Sequence, residues 1–121
     1  MVPATMTNAR DAWRTEELES LFEAILSLKS AAEAETFFRD LCTLGELHDM
    51  AQRWAVVRML EGGMHYAEIS RRTGASTATI TRINSWLQHG EGGYRLLLDR
   101  LAQNGDAGGP GPTVYPMGVE T

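Results

Sequence analysis

Residues 66–86, "YAEISRRTGASTATITRINSW", decide how this chain is read, because they set a small-residue turn between two short segments with apolar residues at helical spacing. Ile69, Ala75, Ile80 and Ile83 would form one apolar seam between two helices. In a helix-turn-helix the second helix packs across the first, so the first needs a small residue at the crossing, and Ser70 supplies it. The turn needs a residue that accepts a left-handed backbone, which Gly74 provides, and Ser76 follows as the N-cap of the second helix. That helix is left with Thr77, Ala78, Thr81 and Arg82 on its outer face. Small or hydrogen-bonding residues plus one arginine suit a helix that must enter a groove about as wide as itself and reach base edges. A glycine-turned helix pair also occurs in ordinary helical cores. Here several independent requirements coincide, so DNA reading is the expectation, with a helix-turn-helix used for protein contacts as the alternative.

Working outward from this pair, the rest of the chain also reads as helical. From about Asp11 to Lys29, Leu18, Leu21, Phe22, Ile25 and Leu28 share a stripe, with most glutamates off it. A second, short helix follows Ser30 as N-cap, with Ala34, Phe37, Phe38 and Leu41 facing inward. "TLGE" at 43–46 reads as a capping box, and the third helix carries Leu47, Met50, Ala51, Trp54, Val57 and Leu60 to a stop at Gly62–Gly63. Residues 65–73 and 77–89 are the fourth and fifth helices, and "GEGG" breaks the chain before a sixth with Tyr94, Leu97, Leu98 and Leu101. No strand-period segment or internal repeat occurs. The expected fold is all-α: a flexible N-terminus at 1–10, one helix-turn-helix domain at 11–103, and a disordered Gly/Pro-rich tail at 104–121, in which "PTVYP" could order on a partner.

Length and charge bound the function. A chain of 121 residues holds one domain of ordinary size. The net charge of −5 is unevenly spread: residues 1–61 carry 6 basic and 11 acidic side chains, whereas residues 62–100 carry 5 basic and 3 acidic. The motif region is the one basic part. No apolar run approaches the ~20 residues of a membrane span, no secretory leader is evident, and Cys42 is the single cysteine, so a cytoplasmic location is expected and Cys42 reads as a small buried hydrophobe. His48, Asp49, His65 and His89 have no metal-ligand spacing, and no phosphate loop or nucleophile elbow occurs. Neither an enzyme, a metal nor a cofactor is expected. Trp13 and Trp54, near or on apolar stripes, read as core.

The segments "LCTLGELHDMAQRWAVVRMLEGGMHYAEI" (41–69) and "TGASTATITRIN" (73–84) resemble the Trp repressor family, and the continuation "NSWLQHGEGGY" (84–94) is similar to its YerC/YecD branch. The resemblance spans about residues 15 to 101 and is best over 43 to 82. It implies a six-helix fold that dimerises by interlacing N- and C-terminal helices and presents two reading helices to a palindromic operator. Exposed apolar stripes on a chain of ~90 ordered residues agree with a shared dimer core. By resemblance, Thr77, Ala78, Thr79, Thr81 and Arg82 take reading-helix positions that approach bases or phosphates, beside Ser76. The family's basic contacts elsewhere meet Ala67, Ser70 and Gln88, and Arg71 and Arg72 could compensate from neighbouring positions.

The family's co-repressor pocket holds tryptophan between two arginines, matched here by Arg53 and Arg82, with Thr43 near the amino group. The small glycine that admits the indole is replaced by Ile83, and a hydroxyl-bearing residue one turn along by Trp86. Taken singly, these are ordinary surface charges and ordinary core residues. Together they imply a pocket filled from within by Ile83 and a buried Trp86, and free tryptophan is not expected to bind. The expectation is a homodimeric transcriptional regulator, a repressor, that reads double-stranded DNA without tryptophan as co-repressor. The alternative is a protein-interaction module on the same fold with weak DNA binding.

Overall fold

The computed structural model describes residues 12–106, which hold six α-helices and no strand. The expected flexible N-terminus at 1–10 and most of the expected disordered tail lie outside the described residues. We number the helices α1 (Glu16–Leu26), α2 (Ala31–Leu41), α3 (Leu44–Glu61), α4 (Tyr66–Thr73), α5 (Thr77–His89) and α6 (Gly93–Leu101); a π-helical turn, Ala102–Asp106, follows α6. The winding thus runs a few residues past the domain end expected at 103. The chain divides into two compact units at Thr43 and Leu44.

In the first unit, α1 is shorter than its apolar stripe suggested. Thr15 caps it, its Oγ1 accepting the Leu18 N–H at 3.1 Å, and glutamates 16, 17 and 19 sit in the first turn, where the helix dipole favours negative charge. At the other end the Ser27 hydroxyl donates to the Ala24 carbonyl at 2.7 Å and competes with further winding. Ser30 caps α2, accepting from Glu33 N–H at 3.1 Å, while the Glu33 carboxylate accepts from Lys29 N–H at 2.9 Å. No residue of α1 or α2 is fully buried. Trp13, read from sequence as core, stands exposed with its ring edge-on to Phe22, 6.5 Å between centroids. Cys42 is half-buried and its N–H closes α2 by donating to the Phe38 carbonyl.

The core lies in the second unit. Val56, Val57 and Met59 of α3, Ile69 of α4, Ala75 of the turn, Ile80, Ile83 and Leu87 of α5, and Leu98 of α6 pack as one cluster. Ile69, Ile80, Ile83, Val56 and Val57 are the largest fully buried side chains, each contributing roughly 1.5–3 kcal/mol by leaving water. This corrects the inward face expected for α3: of the stripe Leu47, Met50, Ala51, Trp54, Val57 and Leu60, only Val57 is fully buried, and Met50 and Ala51 are exposed. The helix is apolar on two sides, and Val56 and Met59, outside the expected stripe, join Val57 in the cluster with Ile69, Ile80 and Ile83. Likewise Leu98 of α6 is buried, while Leu96 and Leu97 face outward. Arg95 ties α6 to the end of α3, its guanidinium donating to both Glu61 oxygens at 2.7 and 3.0 Å and to Asp99 at 3.2 Å.

Candidate nucleic-acid interface

The turn between α4 and α5 is built by four side chains or backbone groups in succession. Gly74 takes φ +82°, the left-handed conformation that ends α4, and its N–H donates to the Ser70 carbonyl at 2.8 Å. The Thr73 hydroxyl donates to the Ile69 carbonyl at 2.8 Å and accepts the Ala75 N–H at 3.1 Å, so one side chain spans the bend. Gln52 of α3 donates its amide to the Thr73 carbonyl at 3.0 Å and fixes the same bend to the longest helix. Ser76 then caps α5 by accepting the Thr79 N–H at 3.1 Å. Ile69, Ala75, Ile80 and Ile83 are buried beneath this turn and Ser70 is half-buried at the crossing. Thr73 and Gln52 were not singled out from sequence. A threonine preceding a turn glycine is a local signal for the first, whereas the Gln52 contact joins residues 21 apart and has no local signature.

With one side of α5 sealed into the core, Ser76, Thr77, Ala78, Thr81 and Arg82 are exposed together along its first two turns. Thr79 stands apart from this face: half-buried, its hydroxyl accepts from Ser76 at 3.1 Å and from the Arg82 guanidinium at 3.2 Å. Thr79 therefore orients Arg82 over the start of the helix. The exposed set is small except for Arg82, so nothing bulky bars close approach of the helix to a groove.

Arg71 and Arg72, in the last turn of α4, converge on one carboxylate. Arg71 Nε donates to Glu68 Oε1 at 3.1 Å and its Nη2 to Oε2, while Arg72 Nε donates to Oε2 at 2.7 Å. Hydrogen bonds from Arg71, then from Arg72, hold the Glu68 carboxyl down to about 2, well below the usual range. The Arg71 guanidinium is pushed up in turn, chiefly by its hydrogen bonds to Glu68. The two arginines that sequence reading offers as substitute phosphate contacts are thus partnered within their own helix.

Between α3 and α5 lies a small, partly enclosed cavity of about 140 Å³, lined by Asp49, Gln52, Arg53, Thr79, Arg82, Ile83 and Trp86. Arg53, Arg82, Ile83 and Trp86 of the expected effector pocket meet there, and Thr43 is not among the lining residues. Asp49, Gln52 and Thr79 were missed. Their spacing carries the signal: 49, 52 and 53 on α3 and 79, 82, 83 and 86 on α5 are one-turn neighbours facing each other. Ile83 is 1% exposed and narrows the floor, but Trp86 is 47% exposed, so the expected burial of its indole does not occur. Trp86 sits at the cavity edge because its place in the α5 repeat falls beside, not on, the line of Ile80, Ile83 and Leu87 that meets the core. No group of histidines, cysteines and carboxylates able to hold a metal occurs among the described residues. No helix among them is long and apolar enough to cross a membrane.

This geometry accords with the sequence relatives. Residues 16–102 match the family profile of the Trp repressor protein. The chain is 47% identical over 93 residues to YerC, an uncharacterized protein of Bacillus subtilis, covering 77% of this chain and 89% of that one. It is 34% identical over 87 residues to a Trp operon repressor homolog of Chlamydia trachomatis, covering 68% of this chain and 93% of that one. Among solved structures, a TrpR-like protein from Eubacterium eligens aligns with a TM-score of 0.71 at 45% identity, covering 78% of this chain and 95% of that one. A candidate Trp repressor from Staphylococcus aureus aligns with a TM-score of 0.72 at 41% identity, with the same coverage. With the matched profile spanning the whole six-helix array, the chain belongs to the Trp repressor family of DNA-binding regulators, on the branch that includes YerC.

Proposed function

We propose that the protein is a sequence-specific DNA-binding transcriptional regulator, a repressor, which reads a pseudo-palindromic operator as a homodimer in the cytoplasm. The observation that carries this reading is the start of α5: a capped helix end with one side wholly buried and Ser76, Thr77, Ala78, Thr81 and Arg82 open on the other. Base edges are met by that set, and backbone phosphates by α4, the helix that crosses the backbone in this motif. Dimerisation is supported by the apolar side chains the single chain leaves exposed, among them Phe22, Leu26, Leu44, Met50, Leu96 and Leu97. Two copies related by a two-fold axis would place their reading helices in successive major grooves, about 34–36 Å apart.

Tryptophan is not the co-repressor in this proposal. The cavity of about 140 Å³ is smaller than the roughly 300 Å³ at which drug-sized ligand pockets begin, and Ile83 occupies its floor. The test is fluorescence anisotropy of the full chain on labelled duplexes at several salt concentrations. A reader loses affinity steeply with salt, Arg82→Ala flattens the preference among sequences, and Arg71→Ala weakens all sequences alike. Salt-indifferent or absent binding would favour the protein-interaction module instead.

A further inference from the structure

Glu68 has no place in the reading helix or the cavity, yet it holds the two arginines of α4 nearest the turn. Its two oxygens together accept from Arg71 through Nε and Nη2 and from Arg72 through Nε. Arg71 is 67% exposed and Arg72 32% exposed, so neither is buried out of reach. Both stand on the motif's first helix, the element that lies across the DNA backbone. A phosphate oxygen and a carboxylate oxygen compete for the same guanidinium fork. Arg82 is arranged differently, donating to the neutral Thr79 hydroxyl and keeping its charge for the groove.

We propose that Glu68 is an intramolecular phosphate mimic that occupies Arg71 and Arg72, so that backbone contact by α4 requires DNA to displace it. The inference rests on the DNA-reading proposal and deepens it. Displacement lowers affinity for all duplexes by the same factor, because the contact is to phosphate and not to base edges. It therefore suppresses non-specific binding while leaving discrimination to α5, which suits a chain whose motif region is its one basic part.

The experiment is anisotropy of the full chain on a labelled 30-bp duplex of random sequence, from low to moderate salt, for the unmodified protein, Glu68→Gln and Glu68→Ala. Glu91→Gln, which removes one negative charge from the loop between α5 and α6, controls for net charge. Neutralising Glu68 raises the net charge of the Glu68, Arg71 and Arg72 group by one, so the salt slope steepens by up to ~0.9 and affinity near 0.1 M salt rises at least ~3-fold. In an Arg71→Ala/Arg72→Ala background the gain from Glu68→Gln disappears. Circular dichroism checks that each variant folds, and Glu68→Ala, a good helix former at an exposed site, stands in if Glu68→Gln does not. Equal gains for Glu68→Gln and Glu91→Gln, or a Glu68 gain that survives loss of both arginines, would overturn the mimic alone. No binding by any protein at low salt would overturn the mimic and the DNA reading together.

Discussion

Replacing Gly74 with alanine should destabilise the protein by about 1 kcal/mol, and by a conformational mechanism alone. The residue sits at φ +82° between α4 and α5. A Cβ placed on it would meet only Gln52 Nε2, at 4.0 Å, an ordinary contact. The penalty is then that of a left-handed L-residue, roughly 1–2 kcal/mol, reduced a little because alanine also narrows the unfolded ensemble. A loss of 1 kcal/mol lowers Tm by about 4–8 °C in a domain of 60–100 residues. Gly62 supplies the internal contrast: its φ is not positive, and its added Cβ would lie 3.6 Å from the Arg58 and Met59 carbonyl oxygens. Gly62→Ala should be neutral or stabilising by up to about 1 kcal/mol, and Gly74→Asn should cost less than Gly74→Ala. The assay is urea unfolding followed by circular dichroism at matched protein concentrations, which removes any contribution from association. Gly74→Ala within ~0.3 kcal/mol of the parent, or Gly62→Ala as damaging as Gly74→Ala, would refute the reasoning for the turn.

Three further outcomes are expected. Ile80→Ala, which empties a fully buried site under the turn, should cost about 2–5 kcal/mol in urea unfolding, whereas Ser76→Ala should cost only about 1 kcal/mol through loss of the α5 cap. Stability should fall on acidification from about pH 4.5 toward 2. Arg71 and Arg72 depress the Glu68 pKa to about 2 and Arg95 lowers that of Glu61, so both pairings stabilise above the unfolded value and are lost below it. Glu68→Gln should make the acid limb shallower in urea midpoints measured across that range; an unchanged limb would remove Glu68 from the account. Isothermal titration calorimetry with L-tryptophan should show no micromolar binding, and a saturating micromolar isotherm would contradict a cavity too small for the indole.

The helix-turn-helix was legible because its signals are local. Gly74, Ser76 and the Ile69, Ile80 and Ile83 spacing each act within a few residues, and the structure places them at the turn, the cap and the core. The α3 face was not legible, since a helix apolar on two sides offers two inward stripes and only tertiary packing chooses between them. The same applies to Trp86, whose large apolar side chain suggests burial, while its position on α5 leaves it at the cavity edge. Sequence reading counted Arg71 and Arg72 as available charges and missed that Glu68, three and four residues earlier, is within one helical turn of both. Spacing alone held that pairing. The Gln52 bond to Thr73 could not be anticipated, because it depends on how α3 lies against the turn.

The most direct test of the central claim is selection of bound sequences from a random duplex pool by the full chain at near-physiological salt, with and without L-tryptophan. One palindromic motif, its half-sites about one helical turn apart, should be enriched equally in both conditions. Enrichment only with tryptophan would contradict the ligand-independent reading, and no enrichment in either condition would contradict DNA reading by the exposed face of α5.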